Sequence, residues 1–420
     1  MLHRGDRFVD AALIACLIAA SLQIVPWPPA VRLRVSPTLA SMDRALWLDA
    51  AADPSAGSPR PLAVDQSAAI EWLTLAAAVI AFFWCAREAV RHGRARDAVR
   101  AVGAMGGVAA ALALVQHVTA ARSLYWIWRP LSPKAEAPFT PFVNRNDMAA
   151  WMVMAIPLTA GYLLARIDAR RRENRLSLDA VFDPTGVWVA VAICLMAAVL
   201  AATLSRSGLI AGFAAAASIL MLSRGRMERR GRGWLLVAVS LVALVGAAYA
   251  NLGALMTRVG EAVGSGIGGR REIWTLTLAI IRDFPFTGVG VGSFQRATSV
   301  YQGAHDFSFN HAHNEYLQIA AEGGGLLGIP AACAALAACV SIAERLRADR
   351  SPAFWMRAGA VSALTAIAVQ SLWDTGLRMP ANAVLFAVCA AVAIHEPSME
   401  RHAASRTTRD SSTTRITADV

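Results

Sequence analysis

A polar cluster stands before an apolar stretch in the last third of the sequence. In FNHAHNEYLQIAAEGGGLLG (309–328), two histidines flank one alanine, and an amide and a carboxylate follow directly. Neutral imidazole is the side chain that most often takes a proton near pH 7. The N-terminus of a helix disfavours the imidazolium form, because its backbone N–H groups create a positive field. The pattern favours His313 as a general base, with Asn310 or His311 near the helix cap.

A zinc site formed by His311, His313 and Glu315 is the competing interpretation. His-x-His occurs in metal sites, but the outer segments supply no cysteine and only one more histidine, His305. Asp-x-Asp is absent from the sequence, so chemistry through a divalent ion held by carboxylates has no obvious site. We expect no metal and no other cofactor, and His311 taken alone is expected to be an ordinary loop residue.

Two stretches upstream add cationic groups that suit a phosphate ligand. TLSRSGLIAG (203–212) places Arg206 between two apolar runs, and GGRREIWTLTLAIIRDFP (268–285) places Arg270 and Arg271 in the first turn of a helix. A guanidinium can hold a phosphate through two parallel hydrogen bonds, although Arg206 could equally extend to phospholipid headgroups. Arginines at a bilayer surface, together with a histidine, fit a lipid diphosphate and the deprotonation of a hydroxyl group.

Two further polar stretches lie at the ends of apolar runs. NRNDMAAW (144–151) contains Asn146 beside charged neighbours, and SLWDTGLRMP (371–380) places Asp374 and Arg378 in a short turn. Charges in apolar surroundings are costly and often functional, but each of these side chains could simply cap a helix at the membrane interface.

The loop before the histidine cluster has two recognisable elements. Segment 268–285 predicts a short apolar helix that ends by Phe284, because Pro285 disfavours helical geometry in the residue before it. The helix stripe consists of Ile273, Thr277, Ile280 and Ile281. The following TGVGVGSF does not have the spacing of a dinucleotide fingerprint, and it predicts a tight turn that folds back close to the bundle.

Composition indicates an integral membrane protein. The 420 residues are 56% hydrophobic and 16% charged, and repeated apolar runs reach the length that crosses a bilayer. The net charge of +11 does not indicate nucleic acid binding, because the basic residues lie mainly between apolar runs. We predict an all-α polytopic bundle of about ten transmembrane helices. The predicted spans are 8–26, 69–86, 99–118, 147–165, 186–204, 207–222, 234–250, 323–343, 355–372 and 379–395.

Basic runs predict the orientation of the bundle. ARRRENR (169–175) and RGRMERRGR (224–232) fall on the same side as the N-terminus, which the positive-inside rule makes cytoplasmic. The longest outer segment is then 251–322, a periplasmic loop that contains the short helix and the histidine cluster. The Ser, Thr and Arg-rich tail 396–420 is predicted to be disordered and cytoplasmic.

Four stretches, in this order, resemble the O-antigen ligase family, which includes O-antigen ligases, polysaccharide polymerases and some protein O-oligosaccharyltransferases. They are NRNDMAAWMVMAIPL, TLSRSGLIAG, GRREIWTLTLAIIRDFPFTGVGVGSF and HAHNEYLQIAAEGGGLLG. The last two are the specific ones, because they form a linked series of an arginine, a tryptophan four residues later, a Pro and Gly-rich turn, and His-Asn. Residues 144–395 are therefore interpreted as the catalytic membrane domain, and 1–143 as N-terminal helices and outer loops.

The resemblance implies a membrane glycosyltransferase of the bacterial inner membrane. Such an enzyme transfers a glycan from a polyprenyl diphosphate carrier to a hydroxyl of a lipid, glycan or protein on the periplasmic side, without a metal. His313 matches the catalytic histidine of the family, and Arg206 and Arg270 match arginines thought to bind the diphosphate. Arg271 is the neighbouring candidate.

The resemblance also implies a setting for the site. Asn314 and Asn146 are expected to support it, both termini are expected in the cytoplasm, and membrane lipids are expected partners.

Other functions stay open. A polymerase of repeat units and a protein O-oligosaccharyltransferase share the same donor chemistry. A transporter of a lipid-linked or anionic solute would also place basic residues in a cavity, but transporters tend to have duplicated halves and broken helices at mid-membrane, and the sequence indicates neither. A non-catalytic scaffold would require the His313 cluster to be dispensable.

Overall fold

A computed structural model describes residues 4–46, 58–120, 123–128, 140–172, 183–227, 233, 267–302 and 309–395. Within these ranges the chain is helical or irregular, apart from two isolated β-bridges, Trp27–Arg60 and Leu124–Trp128. The prediction of an all-α protein with several apolar helices is confirmed. Predicted span 234–250, part of loop 251–322 and the tail 396–420 lie outside the described residues.

The helices follow the apolar runs of the sequence. In chain order they are α1 (Arg4–Ile24), α2 (Pro29–Val35), α3 (Leu39–Leu46), α4 (Gln66–Ala89), α5 (Ala95–Ala120), α6 (Arg145–Arg172), α7 (Pro184–Ala202), α8 (Arg206–Leu222), α9 (Ile267–Asp283), α10 (Phe294–Tyr301), α11 (Glu315–Ala348), α12 (Phe354–Gln370) and α13 (Pro380–Ala393). Between α4 and α5 the backbone of His92 and Gly93 leaves helical geometry. A 3₁₀ turn, Gly376–Arg378, precedes α13.

Every predicted span within the described ranges overlaps one of these helices. Among the described residues, five stretches are long and apolar enough to cross a membrane, and α8 and α13 are shorter apolar helices. The five are Gly5–Ile24, Gln66–Thr119, Arg145–Arg172, Pro184–Ala202 and Glu315–Ala348. The number of ten spans and the domain boundary at residue 143 stay predictions.

Helix α6 is the centre of the bundle, where it packs on α5, α7, α8, α12 and α13. The most apolar part of α6 is 78% buried, whereas the corresponding part of α11 is only 17% buried. Because an apolar surface left open by the protein must be covered by lipid, α11 lies at the edge of the bundle.

Ion pairs hold together the end of the bundle that lies away from the histidine cluster. Asp6 of α1 pairs at 2.8 Å with Arg91 and at 2.8 Å with Arg345, which is near the end of α11. The fully buried Arg357 pairs with Asp349 at 3.1 Å. These contacts bring the start of α1 to the end of α11, so the start of α11 and its histidine cluster lie at the opposite end.

At that opposite end, two segments that are far apart in sequence share a small apolar core. Residues 27–46 and 58–64, which include α2 and α3, pack against residues 267–302, which include α9 and α10. The buried members of this core include Leu39, Met42, Leu62, Ile273, Ile280, Phe284 and Phe294. We call residues 27–46, 58–64, 267–302 and 309–313 together the outer layer. Helix α9 ends before Phe284 and buries its apolar stripe in this layer, as the sequence predicts.

The predicted glycine turn is confirmed, and it presses against α11. Gly288 has φ +60°, and a Cβ there would lie 2.3 Å from the carbonyl oxygen of Glu322. Only glycine allows both this backbone angle and so close an approach. The N–H groups of Val289 and Gly290 donate to the carbonyl oxygens of Ala321 and Glu322, each at 3.0 Å.

Helix α11 is broken where the turn meets it. Gly324 has φ +54° and ψ −156°, outside helical geometry. Beyond the break, the N–H groups of Gly325 and Leu326 donate to the carbonyl oxygens of Pro285 and Phe286, each at 2.9 Å. The loop therefore supplies hydrogen bonds that the helix has lost, as buried backbone groups require.

Candidate functional site

His313 lies immediately before α11 in a strained backbone conformation. Its φ of +49° is uncommon for a residue other than glycine and persists only where the surroundings enforce it. Asn314 is the N-cap of α11, with its side-chain oxygen accepting the Leu317 N–H at 3.0 Å. The expectation that Asn310 or His311 lies near the cap is therefore wrong, because only an extended residue directly before the first turn can reach that amide.

Hydrogen bonds fix the segment that carries His313. The indole N–H of Trp274 in α9 donates to the Ala312 carbonyl oxygen at 3.0 Å, and the Ala312 N–H donates to the Gln318 side-chain oxygen at 2.5 Å. Asn314 Nδ2 donates to the Leu372 carbonyl oxygen at 3.0 Å. The residues on both sides of His313 are thus tied to α9, α11 and the turn after α12.

The imidazole of His313 is exposed and has two charged neighbours. Partial loss of hydration lowers its pKa below the usual 6.5, and the nearby Arg270 guanidinium lowers the pKa further. The carboxylate of Asp374 acts in the opposite direction, but the pKa remains lowered. His313 is therefore neutral near pH 7, as a general base must be.

Arg270 lies close enough to Arg206 and Asp374 for their charges to change its pKa. Burial lowers the pKa of the half-buried Arg270; Asp374 opposes that shift, and the cation of Arg206 reinforces it. Arg206 is exposed at the first position of α8, after the N-cap Ser205. Arg271, the next residue on α9, is exposed and lies about 100° further round the helix axis. The structure thus brings His313, Arg270 and Arg206 together.

Asp374 lies among these groups as a buried carboxyl. It is 4% exposed, and Oδ1 accepts the Thr375 N–H at 2.9 Å. Among the described residues, Oδ2 has no hydrogen-bond partner. Burial raises the pKa of Asp374, whereas His313 and Arg270 lower it, and the raising effect prevails. From the sequence, Asp374 was predicted only to be a charge in a short turn. No local pattern in the sequence indicates that this turn lies near α9.

Residues 191–332, from α7 to the outer half of α11, match a family model described as O-antigen ligase. This segment is similar to the O-antigen ligase family. The match includes Arg206, Arg270 and His313, whereas Asp374 and Arg378 lie beyond it. None of the curated proteins matches the chain.

An ion-pair network supports the first part of α11. Arg378 Nη2 lies 2.6 Å from Glu322 Oε2, and Arg378 Nε lies 3.7 Å from Glu315 Oε1. Burial alone would lower the pKa of Arg378, but the two carboxylates raise it. Arg378 is therefore part of a buried network. The sequence alone also allowed a simple helix cap at the membrane interface. His311 lies close to this network. Burial makes the largest contribution to its lowered pKa; Arg378 and His313 also lower this pKa, and Glu322 raises it.

Asn146 lies in the first turn of α6, and its backbone connects α6 to α12. Its carbonyl oxygen accepts from Gln370 Nε2 at 3.3 Å, and its N–H donates to Asn144 Oδ1 at 2.8 Å. Asn382 Nδ2 also donates to the Asp147 carbonyl oxygen at 3.1 Å. These contacts hold the end of α12, from which the chain continues to Asp374.

Among the described residues, no three His, Cys, Asp or Glu side chains are grouped so that they could hold a metal ion. His311, His313 and Glu315 are therefore not arranged there as a set of metal ligands.

Proposed function

We propose that this protein transfers a glycan from a polyprenyl diphosphate carrier to an acceptor hydroxyl, by a single displacement that inverts the anomeric carbon and uses no metal ion. The observation that carries the proposal is the meeting of a neutral imidazole with two guanidinium groups at the outer layer. The match to an O-antigen ligase model supports glycan transfer in general.

His313 acts as the general base in this reaction. Its exposed side chain can reach a substrate, and its lowered pKa leaves a ring nitrogen free to accept a proton. The acceptor oxygen forms a bond to the anomeric carbon while its proton passes to His313. The bond between the anomeric carbon and the diphosphate oxygen breaks, and the electron pair leaves with the polyprenyl diphosphate. Such a base contributes about 10²-fold to 10⁴-fold in rate.

Arg206 and Arg270 bind the diphosphate and stabilise the charge that develops on it. Their mutual repulsion helps to lower the pKa of Arg270, and an anion between them would relieve it. Arg271 is the second candidate on the same helix. Arg270 is preferred because its guanidinium lies within the electrostatic neighbourhood of His313 and Asp374.

Asp374 and the two asparagines have positioning roles. An ionised Asp374 stabilises the imidazolium that forms when His313 accepts the proton. Asn314 fixes the start of α11 and joins it to the turn after α12. Asn146 supports the same end of the bundle through its backbone contact with Gln370.

The reaction is assigned to the periplasmic face of a bacterial inner membrane, with both termini in the cytoplasm. The basic runs 169–175 and 224–232 support this orientation under the positive-inside rule. The donor and a lipid acceptor would then reach the outer layer from the surrounding bilayer.

A transporter of a lipid-linked or anionic solute is the second candidate, because α11 is broken, which the sequence did not indicate. The break lies near the outer end of α11, between Glu322 and Leu326. There the packed loop accepts hydrogen bonds from the backbone N–H groups that the break leaves without helical partners. Transporter breaks instead leave backbone groups to bind solute at mid-membrane. The position of the break therefore favours catalysis.

The test is transfer in membranes that contain either wild-type protein or His313→Ala. We expect the variant to lose at least about 10²-fold in transfer rate and the lipid-linked donor to accumulate. His311→Ala is the matched control, with an expected rate close to wild type. Unchanged transfer by a stably expressed His313→Ala protein would refute the role of the base. Donor that accumulates only on the cytoplasmic face would favour the transporter. The missing product, long chains, glycosylated lipid or glycosylated protein, identifies the acceptor.

A further inference from the structure

Asp147 is an acidic residue near the candidate site that the proposed reaction leaves without a role. It lies partly buried in the first turn of α6, at the same end of the bundle as Asp374. We propose that Asp147 is a positioning residue, which controls the charge of Asp374 and, through Asp374, the affinity of His313 for a proton. This proposal rests on the proposed role of His313 as the general base.

Hydrogen bonds and close packing hold Asp147 beside the turn that carries Asp374. Asn382 Nδ2 donates to the carbonyl oxygen of Asp147 at 3.1 Å and to that of Gly376 at 3.0 Å. The turn also lies against α6, since a Cβ at Gly376 would be 2.9 Å from the Cβ of Ala150. The two carboxyl groups are close enough for their charges to interact. Packed backbone therefore keeps these two groups near each other.

The charge of Asp374 depends on opposing effects. Asp374 is 4% exposed and its Oδ2 has no hydrogen-bond partner among the described residues, so burial favours the neutral carboxyl. The Thr375 N–H, His313 and Arg270 favour the ionised carboxylate. A second carboxylate nearby disfavours ionisation, and two such groups titrate as a coupled pair. An ionised Asp147 therefore makes Asp374 hold its proton to a higher pH.

Other charged groups near the pair are either offset or constant. Glu315 also interacts with Asp374, but Arg378 Nε lies 3.7 Å from Glu315 Oε1 and offsets its charge. Arg145 precedes Asp147 by two residues and so lies about 200° round the axis of α6. Arginines stay protonated throughout the working pH range, so they add a constant background. Asp147, in contrast, changes its charge together with Asp374.

The two carboxyl groups together determine how readily His313 takes up a proton. An ionised Asp374 stabilises the imidazolium, whereas a neutral Asp374 does not. By favouring the neutral Asp374, an ionised Asp147 keeps the imidazole in its basic form to a lower pH. A carboxylate that acted on His313 directly would have the opposite effect. The sign of the effect therefore separates control through Asp374 from a direct interaction.

The test is an NMR titration of His313 in the full-length protein, purified in a neutral detergent and labelled at its histidines. We expect Asp147→Asn to raise the pKa of His313, because Asp374 then ionises at a lower pH. Asp147→Glu, which keeps the charge, should retain the wild-type pKa. Asp97→Asn is the matched control with no shift expected, because Asp97 is an exposed carboxylate in the first turn of α5, at the opposite end of the bundle.

A double substitution shows whether the effect passes through Asp374. Asp147→Asn should raise the pKa of His313 when Asp374 is present, and it should not raise that pKa when added to Asp374→Asn. In membranes, the acid limb of the pH profile of kcat/KM should move in the same direction and by the same amount as the pKa of His313. Asp147→Ser is a second neutral variant with the same expected rise, so a folding defect in one variant does not decide the outcome.

Three results would each overturn the proposal. They are an unchanged or lowered pKa of His313 in the folded neutral variants, the same rise in the Asp374→Asn background, and an equal rise in Asp97→Asn. A pKa that rises as expected, together with normal glycan transfer by His313→Ala, would contradict only the proposed enzyme function.

Discussion

Replacing Arg270 by glutamine is expected to raise the pKa of His313. The guanidinium disfavours the imidazolium form, so the pKa of His313 lies below its usual value partly because of this cation. Glutamine keeps a similar length and removes the charge. With the cation gone, the imidazole holds its proton to higher pH.

The size of the effect depends on how far water screens the two charges. Two unit charges about 4 Å apart interact by about 1 kcal/mol in water and by about 4 kcal/mol at an effective dielectric constant of about 20. Since His313 is exposed and Arg270 half-buried, we expect the loss of this interaction to lie nearer the lower of these energies, and the pKa of His313 to rise.

The pKa is measured by NMR titration of protein labelled at its histidines, and the His313 signal is identified by its loss in His313→Gln. Arg271→Gln is the matched control, because Arg271 is the exposed next residue on the same helix. We expect that control to shift the pKa much less. An unchanged or lowered pKa in Arg270→Gln, or an equal shift in Arg271→Gln, would refute the proposed neighbourhood of charges.

Three further substitutions test the same end of the bundle. Asp374→Asn removes the anion that favours imidazolium, so it should lower the pKa of His313 and move the acid limb of the pH–rate profile to lower pH; an upward shift would contradict this. Arg378→Met leaves two carboxylates without their cation and should cost about 3 to 5 kcal/mol of stability, measured by thermal unfolding; an unchanged unfolding temperature would argue against the network. Gly288→Ala should lower the unfolding temperature well below that of Gly225→Ala, because both glycines have positive φ but only Gly288 lacks space for a Cβ; equal losses would contradict the close approach.

Helices and turns could be predicted because their signals are local. The end of α9 before Pro285 follows from backbone sterics, and the turn at Gly288 follows from the conformational freedom of glycine. The cap of α11 was placed too early, since several polar residues in the same stretch can cap a helix. The choice of Asn314 depends on its contact with Leu372, which is far away in sequence.

For the candidate site, the sequence could indicate only residues that the family resemblance or their charge singles out. Arg206, Arg270 and His313 were predicted from the resemblance, and the structure places them close enough for Arg270 to interact electrostatically with the other two, while their roles stay predictions. The place of Asp374 could not be read, because the same aspartate in a turn is compatible with an interfacial cap. The packing of residues 27–46 and 58–64 against α9 and α10 also has no local signal, because it depends on apolar side chains that meet only after folding.

The break in α11 makes the final shape of this helix depend on its packing against the loop. A helix that enters the bilayer before its partners would keep its own hydrogen bonds through Gly324, because unpaired backbone groups are costly in lipid. The bent form becomes favourable only when the residues from Pro285 to Gly290 arrive with replacement donors and acceptors. A newly inserted chain in which residues 285–290 have not yet packed against α11 would therefore keep this helix straight.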